Sequence, residues 1–173
     1  MKRIVPTKTE VFFDPGDIIV SKTDLKGRIT YANKIFCDIA GYSLSETLGQ
    51  PHNFIRHPDM PRCIFRLLWE TLEKGDEIFA YVKNMTGKGD YYWVLAHVTP
   101  SRDSSGKIVG YHSNRRVPDR RILDSVIIPL YAQLLAEEQR HSNGKEAVMH
   151  GYQKFMSFVS EKNMPYEELV FAL

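Results

Sequence analysis

The sequence predicts an α+β domain with an antiparallel sheet, followed by a helical extension. Two candidate strands come first, several helical segments follow them, and three more candidate strands come next. Strands and helices that occur in separate runs favour an antiparallel sheet over a repeated strand–helix–strand unit. With 43% apolar and 12% aromatic residues, the 173-residue chain can build the core of one domain with appendages.

Periodicity places the individual elements. Apolar and polar residues alternate in five segments, which predicts strands over residues 17–24, 28–32, 78–85, 90–101 and 109–116. Apolar residues three and four positions apart predict helices over residues 34–40, 61–74, 119–140 and 146–162. Pro129 must kink the third of these helices or mark a junction within it. The chain is therefore predicted to divide into an N-terminal cap (1–17), a central α+β domain (18–118) and a helical extension (119–173).

Composition and charge exclude several classes of protein. The net charge is only +2, which argues against a broad surface for nucleic acid. The two cysteines, Cys37 and Cys63, cannot form a zinc site by themselves and fit a reduced, cytoplasmic protein. The charged N-terminus is not followed by a long apolar run, and no segment has the length of a membrane span. We expect a cytoplasmic protein without direct membrane insertion, which a partner could recruit to a membrane.

One stretch between two apolar segments, residues 49–61, has a high concentration of functional side chains. It holds three prolines together with His52, Arg56, His57 and Asp59. A surface turn needs breaker residues, but it does not need this density of groups that bind anions or aromatic rings. We interpret the stretch as the mouth of a ligand pocket.

These segments resemble a PAS domain, and more closely the flavin-binding PAS module of the Aer family of aerotaxis and energy-taxis receptors. The most specific match is Pro51-His52-Asn53 followed by the run at 56–61. Further matches lie within residues 18–135: Thr23-Asp24-Leu25, 29–33, Gly41-Tyr42-Ser43, Trp69, Lys83-Asn84, 89–94, Gly110-Tyr111 and Pro129-Leu130-Tyr131. The resemblance implies the PAS fold, a five-stranded antiparallel sheet with short helices on one side.

The resemblance also implies a function. Aer-type receptors are membrane-anchored transducers with a cytoplasmic PAS domain that binds FAD, whereas this sequence shows neither an anchor nor a signalling coiled coil. We therefore expect a free-standing redox and energy sensor, as in split systems where the PAS module and the transducer are separate polypeptides. Such a sensor would bind FAD and signal by conformational change to a partner chemotaxis transducer, without catalysing a reaction.

The implied FAD site draws on chemistry that these residues can supply. Arg56 offers a forked donor for phosphate, and Asp59 can orient it. Amide side chains match an N–H beside a C=O on the flavin edge, and aromatic rings can wall the slot. Because side chains on a strand alternate, only one of Tyr92 and Trp93 can face inward. The expected cofactor-binding residues are His52, Asn53, Arg56, His57, Asp59, Trp69, Asn84 and Trp93.

Other interpretations stay open for these residues. Arg56 and Asp59 can form an ion pair at a helix start, Trp69 can belong to the core, and Asn84 can shape a turn. The pocket region has no cysteine, which disfavours the light-driven adduct of LOV photosensors. Haem b is the alternative cofactor, with an axial ligand from one of four histidines: His52, His57, His97 or His112.

Two further functions and one assembly also stay open. A cofactor-free PAS module for dimerisation or interaction would carry the same frame. A flavoenzyme would need a substrate site or an acid/base pair beside the pocket, and the sequence shows neither, nor a Walker loop or nucleophile elbow. The apolar stripes at 119–140 and 146–160 could form a homodimer through the terminal helices, or pack on the sheet or a partner.

Overall fold

The centre of the protein is one five-stranded sheet, seen in a computed structural model that describes residues 4–173. Residues 1–3 of the predicted N-terminal cap lie outside this range. The strands are β1 (Ile19–Thr23), β2 (Ile29–Ala32), β3 (Ile78–Met85), β4 (Tyr91–Arg102) and β5 (Ile108–Arg116). Their order is β2-β1-β5-β4-β3, and every neighbouring pair is antiparallel. The predicted α+β class with a five-stranded antiparallel sheet is confirmed.

Short helices between β2 and β3 cover one face of the sheet, as predicted. Asn33 caps the first of them, because its Oδ1 accepts hydrogen bonds from the Phe36 and Val20 N–H groups, each at 3.0 Å. Ser43 and Glu46 form a reciprocal capping box at the second. The elements are α1 (Lys34–Ala40), α2 (Leu44–Thr47), a 3-10 helix (His52–Ile55) and α3 (Arg62–Lys74).

The helical extension begins with a helical run over the predicted segment 119–140, and the junction that Pro129 marks in it is a π-helical turn. α4 (Arg120–Ile122) passes into a π-helical turn (Leu123–Ile127), and α5 (Ile128–Gln139) follows. Pro129 stands in the first turn of α5, directly after the π-helical turn. The wider turn before it accommodates the proline ring, which clashes with preceding carbonyls in a regular helix.

The chain ends with α6 (Gly144–Glu161) and α7 (Tyr166–Ala172). No helix within residues 4–173 is long and apolar enough to cross a membrane. The division of the chain near residues 17 and 118 stays a prediction.

The outer edge of β3, the last strand of the sheet, is covered from within the chain. The Tyr131 hydroxyl donates to the Tyr81 carbonyl at 2.8 Å, and the Tyr166 hydroxyl donates to the Phe79 carbonyl at 2.6 Å. An uncovered edge strand would present unpaired backbone groups to other chains. The extension therefore packs on its own sheet, which was one of the arrangements left open by the sequence.

Removing either tyrosine hydroxyl tests this edge cover. Tyr131→Phe and Tyr166→Phe keep the ring but leave a β3 carbonyl without its donor, so we expect each to lower the free energy of unfolding by about 1 kcal/mol. Urea denaturation measures the loss, with the exposed Tyr31→Phe as the matched control. Unfolding midpoints equal to that of the wild type would show that the two hydrogen bonds do not hold the extension.

Candidate functional site

A cavity of about 200 Å³ lies between α3, the 3-10 helix and the inner face of the sheet. Its walls are mainly apolar, and its polar groups come from β1 and the loop after it, the 3-10 segment, β3 and β5. Five of the eight residues predicted to bind a cofactor line it: His52, Asn53, Arg56, Trp69 and Asn84. The other lining residues are Ser21, Thr23, Lys26, Gly27, Pro51, Phe65, Leu68, Leu72, Val82, Ala96, Val98, Tyr111, Ser113 and Arg115.

The cavity wall includes the guanidinium of Arg115, a buried charged group that is only 4% exposed. Its Nη2 donates to Ser21 Oγ at 2.9 Å and to His52 Nε2 at 2.6 Å. No carboxylate within residues 4–173 forms an ion pair with it. Burial lowers the pKa of Arg115 to about 10, so the group stays cationic at neutral pH. The cavity thus contains an uncompensated positive charge.

His52 is the neutral partner of this cation. Withdrawal of its ring from water, together with the charge of Arg115, lowers the pKa of His52 to about 3. Because Nε2 accepts from Arg115, the ring proton belongs on Nδ1. Phe36 packs edge-on against the ring, with centroids 6.1 Å apart, and fixes its orientation.

Three buried polar atoms in the cavity wall have no hydrogen-bond partner within the described chain. They are Arg115 Nη1, Asn84 Nδ2 and Ser113 Oγ. An unsatisfied buried donor costs about 1–3 kcal/mol, and more when it is charged. Two of the three atoms are obligate donors and the hydroxyl can also donate. The cavity therefore fits a ligand that presents hydrogen-bond acceptors, preferably with negative charge.

Arg56 and Lys26 stand at the opening of the cavity. The Arg56 guanidinium lies 5.0 Å from the centre of the Phe65 ring, and burial together with nearby Arg62 lowers its pKa. Within residues 4–173, neither Arg56 nor Lys26 forms an ion pair. Both charges are thus available to an anionic group outside the cavity. Trp69 packs edge-on against Tyr111 at 5.3 Å and is 37% exposed, so it forms part of the rim.

The structure places His57 and Asp59 outside the cavity lining, so their predicted contact with a cofactor stays a prediction. The His57 N–H donates to the Lys83 carbonyl at 3.3 Å, and its Nδ1 accepts from the Asp59 N–H at 3.1 Å. Asp59 pairs with Lys83 Nζ at 2.9 Å and does not orient Arg56. The pair attaches the loop before α3 to the outer edge of β3. Proximity in sequence to Arg56 suggested a common ligand, but the backbone turns both residues toward the strand.

Trp93 also lies away from the cavity. Strand alternation turns Tyr92 inward and Trp93 outward, where Trp93 packs 6.0 Å from the ring of Tyr131. Buried Tyr92 lies near Asn84 and Arg115, and burial raises the pKa of its hydroxyl. The aromatic wall expected from Trp93 is thus absent from the cavity lining among the described residues.

Three residues of the cavity wall, Arg115, Ser113 and Ser21, are not predicted from the sequence. All three project from the inner face, since Ser21 pairs with Ser113 across β1 and β5 and Arg115 is two residues further along β5. Alternation in the segment 109–116 carried a usable signal, because an arginine on the same face as a buried tyrosine is unusual unless it serves a site. The adjacent Arg116 made the position look like a charged strand end.

The cysteines and other histidines bear on the alternative cofactors. Cys37 and Cys63 are both unpaired, and neither lines the cavity. Of the four histidines considered as haem ligands, only His52 lines it. His97 instead stacks on Phe79 with ring centroids 4.1 Å apart.

Comparison with known proteins gives a consistent picture. A family model described as PAS fold matches residues 29–115. The aerotaxis receptor of Escherichia coli K12 is 46% identical over 119 residues, covering 68% of this chain and 23% of the receptor. The nitrogen fixation regulatory protein of Klebsiella pneumoniae is 30% identical over 103 residues, covering 60% of this chain and 21% of that protein. The chain thus spans about a quarter or less of the length of these relatives.

Among solved structures, the dark structure of the blue-light photoreceptor Aureochrome1 LOV is similar. It aligns with a TM-score of 0.54 and 28% identity, covering 70% of this chain and 84% of that one.

Proposed function

The chain belongs to the PAS-fold family, and we propose that it is a redox sensor that binds FAD in its cavity and signals to a chemotaxis transducer. One observation carries the proposal: an apolar-walled cavity contains an unpaired buried cation and two further unsatisfied polar groups. The similarity to an aerotaxis receptor supports the role in energy sensing. In this proposal the module acts in the cytoplasm and does not catalyse a reaction.

The residues present fit a flavin. The ring system carries carbonyl acceptors on one edge, which match the unpaired donors of Asn84 and Arg115. A cavity of about 200 Å³ is smaller than the roughly 300–1,000 Å³ typical of sites that enclose a whole ligand. It would therefore hold the ring, while Arg56 and Lys26 at the opening would bind the phosphates. When bound, a flavin supplies reversible electron transfer with a change in charge and protonation.

Arg115 would make the site sensitive to that change. A buried cation favours whichever ligand state carries more negative charge, because Coulombic interactions are strong in a low-dielectric site. Asn84 can reorient its amide to donate or accept as the ligand changes protonation. β5 carries Arg115, and α3 lines the cavity and contacts α5 and α6. These two elements would pass the change to the helical extension and thence to a partner.

Haem b is less well supported by the geometry. His52 is the one candidate ligand that lines the cavity, and its Nε2 already accepts from Arg115 at 2.6 Å. Binding iron through Nε2 would displace that hydrogen bond and bring a metal cation beside a buried guanidinium. In a cofactor-free interaction module, the unpaired buried donors of the cavity would have no hydrogen-bond acceptor. A homodimer through the terminal helices stays a prediction.

The absorption spectrum of the purified protein tests the cofactor. We expect a flavin spectrum, and FAD released on denaturation and identified by mass. Arg56→Ala should weaken FAD binding roughly 10- to 150-fold, since it removes a charge-assisted hydrogen bond of about 1.5–3 kcal/mol. The exposed Arg121→Ala, remote from the cavity lining, is the matched control. A colourless protein that does not take up added FAD would refute the proposal. A Soret band in the spectrum would identify haem as the cofactor instead of FAD.

A further inference from the structure

A second cluster of functional side chains lies on the helical extension, away from the cavity. Glu137 stands in the last turn of α5, His141 lies two residues beyond the end of that helix, and His150 faces them from α6. One ligand atom from each residue lies within 4.8 Å of the other two. The two imidazole rings are parallel within 3°, with centroids 4.0 Å apart. Two helices thus bring two imidazoles and a carboxylate to one point.

One carboxylate oxygen of Glu137 contacts neighbouring cations, and the other is available to the cluster. Its Oε2 is 2.9 Å from Arg140 Nη1 and 3.8 Å from Lys154 Nζ. Its Oε1 instead lies 3.6 Å from His141 Nε2. The two cations therefore hold the carboxylate by its far oxygen, while the near oxygen points to the histidines. A separation of 3.6 Å is close to the spacing of two ligand atoms bound to one ion at about 2.0–2.2 Å.

From this geometry we propose a binding site for a divalent transition metal of the zinc class at the α5–α6 hairpin. Two histidines and one glutamate are a donor set that binds Zn²⁺, with a fourth position for water. The rings must turn out of their parallel stack for both nitrogens to reach one ion. All three residues are half-buried, so an ion can enter from solvent. The site needs neither the cavity nor its ligand, and it stands independently of the proposed function.

Metal binding would fix the position of α5 against α6. The residue after Glu137 is Glu138, whose carboxylate accepts hydrogen bonds from the first two N–H groups of α3, those of Arg62 and Cys63. An ion at Glu137 would therefore restrain the part of α5 that contacts the cavity-lining helix. Zinc occupancy would in this way adjust the stability of the extension.

Zinc titration of the tag-free full chain tests the site. We expect one saturable site by calorimetry, and a rise in Tm of about 5–10 °C at one hundred times Kd. His141→Ala and His150→Ala should each weaken zinc binding at least tenfold, and Glu137→Gln should weaken it less. The matched control is His97→Ala, which removes another histidine paired with a glutamate, Glu77, elsewhere on the protein.

Three results would overturn the site. These are no saturable binding by the wild type, unchanged affinity in both histidine variants, or an equal loss in the His97 variant. If a variant fails to fold, imidazole NMR signals of the wild type identify the ligands directly. Zinc-induced shifts at His141 and His150 support the site, and shifts confined to other histidines refute it.

Discussion

Arg115→Met should stabilise the ligand-free protein and at the same time weaken the binding of its reduced ligand. The wild-type guanidinium is buried without a carboxylate, and one of its nitrogens has no partner in the described chain. Replacing even a buried ion pair by apolar side chains of similar volume often stabilises a protein by about 1–4 kcal/mol, and Arg115 has no carboxylate partner to offset the cost of its burial. We expect an increase of this size in the free energy of unfolding of the apoprotein, measured in urea.

Whereas Arg115→Met should stabilise the apoprotein, it should destabilise the complex with reduced flavin and so lower the midpoint potential. Removing the cation takes away a charge-assisted contact of about 1.5–3 kcal/mol from the more negative, reduced state. For a two-electron couple this corresponds to a midpoint potential lower by roughly 30–60 mV, because about 30 mV equals 1.4 kcal/mol. Spectroelectrochemical titration of the holoprotein measures it.

Arg116→Met is the matched control, because Arg116 is the next residue on β5 and is exposed. It should leave both the stability of the apoprotein and the potential unchanged. A less stable Arg115→Met apoprotein with an unaltered potential would show that Arg115 is a structural residue and does not serve the ligand.

Local patterns predicted most of the fold because strands and capped helices leave short-range signals. Alternation identified all five strands, and Asn33 marked the start of α1 through its capping oxygen. The π-helical turn before α5 was missed. Pro129 indicates that a regular helix is interrupted, but the sequence does not determine how the hydrogen bonds before it rearrange.

The site was harder to predict, because it depends on which way each residue turns. The two-residue alternation of side chains along a strand shows that Tyr92 and Trp93 face opposite sides of the sheet. Both residues are buried, so hydrophobicity does not indicate which of them faces the cavity. Residues 56–61 have no period at all. Arg56 reaches the cavity, while His57 and Asp59 bind Lys83 on the β3 edge, and this difference comes from backbone contacts distant in sequence.

Glu138→Ala should be among the most destabilising substitutions in the helical extension. The side chain is 5% exposed, and its two oxygens accept from the Arg62 N–H at 3.0 Å and the Cys63 N–H at 2.8 Å. Pro61, which precedes α3, provides no side-chain cap. The helix is therefore capped by a carboxylate from α5, which also complements the positive end of its dipole. Loss of both contacts leaves the buried Cys63 N–H and the partly buried Arg62 N–H without an acceptor.

We expect Glu138→Ala to lower the free energy of unfolding by about 2–4 kcal/mol, measured by urea denaturation. FAD content should fall as well, since α3 supplies Phe65, Leu68 and Leu72 to the cavity. The exposed Glu161→Ala on α6 is the control, and it should change stability by less than about 0.5 kcal/mol. A cost for Glu138→Ala no larger than for this control would contradict the capping role.

Gly151 on α6 allows a sharper test of the same contact. A methyl group added there would lie 2.8 Å from Glu138 Cγ and 2.9 Å from its Oε1, so Gly151→Ala must displace the capping carboxylate. In a helix free of such contacts, the same change stabilises by about 1 kcal/mol. We therefore expect Gly151→Ala to destabilise the wild type but to be neutral or stabilising in the Glu138→Ala background. Additive effects in this double-mutant cycle would mean that α6 does not hold the carboxylate against α3.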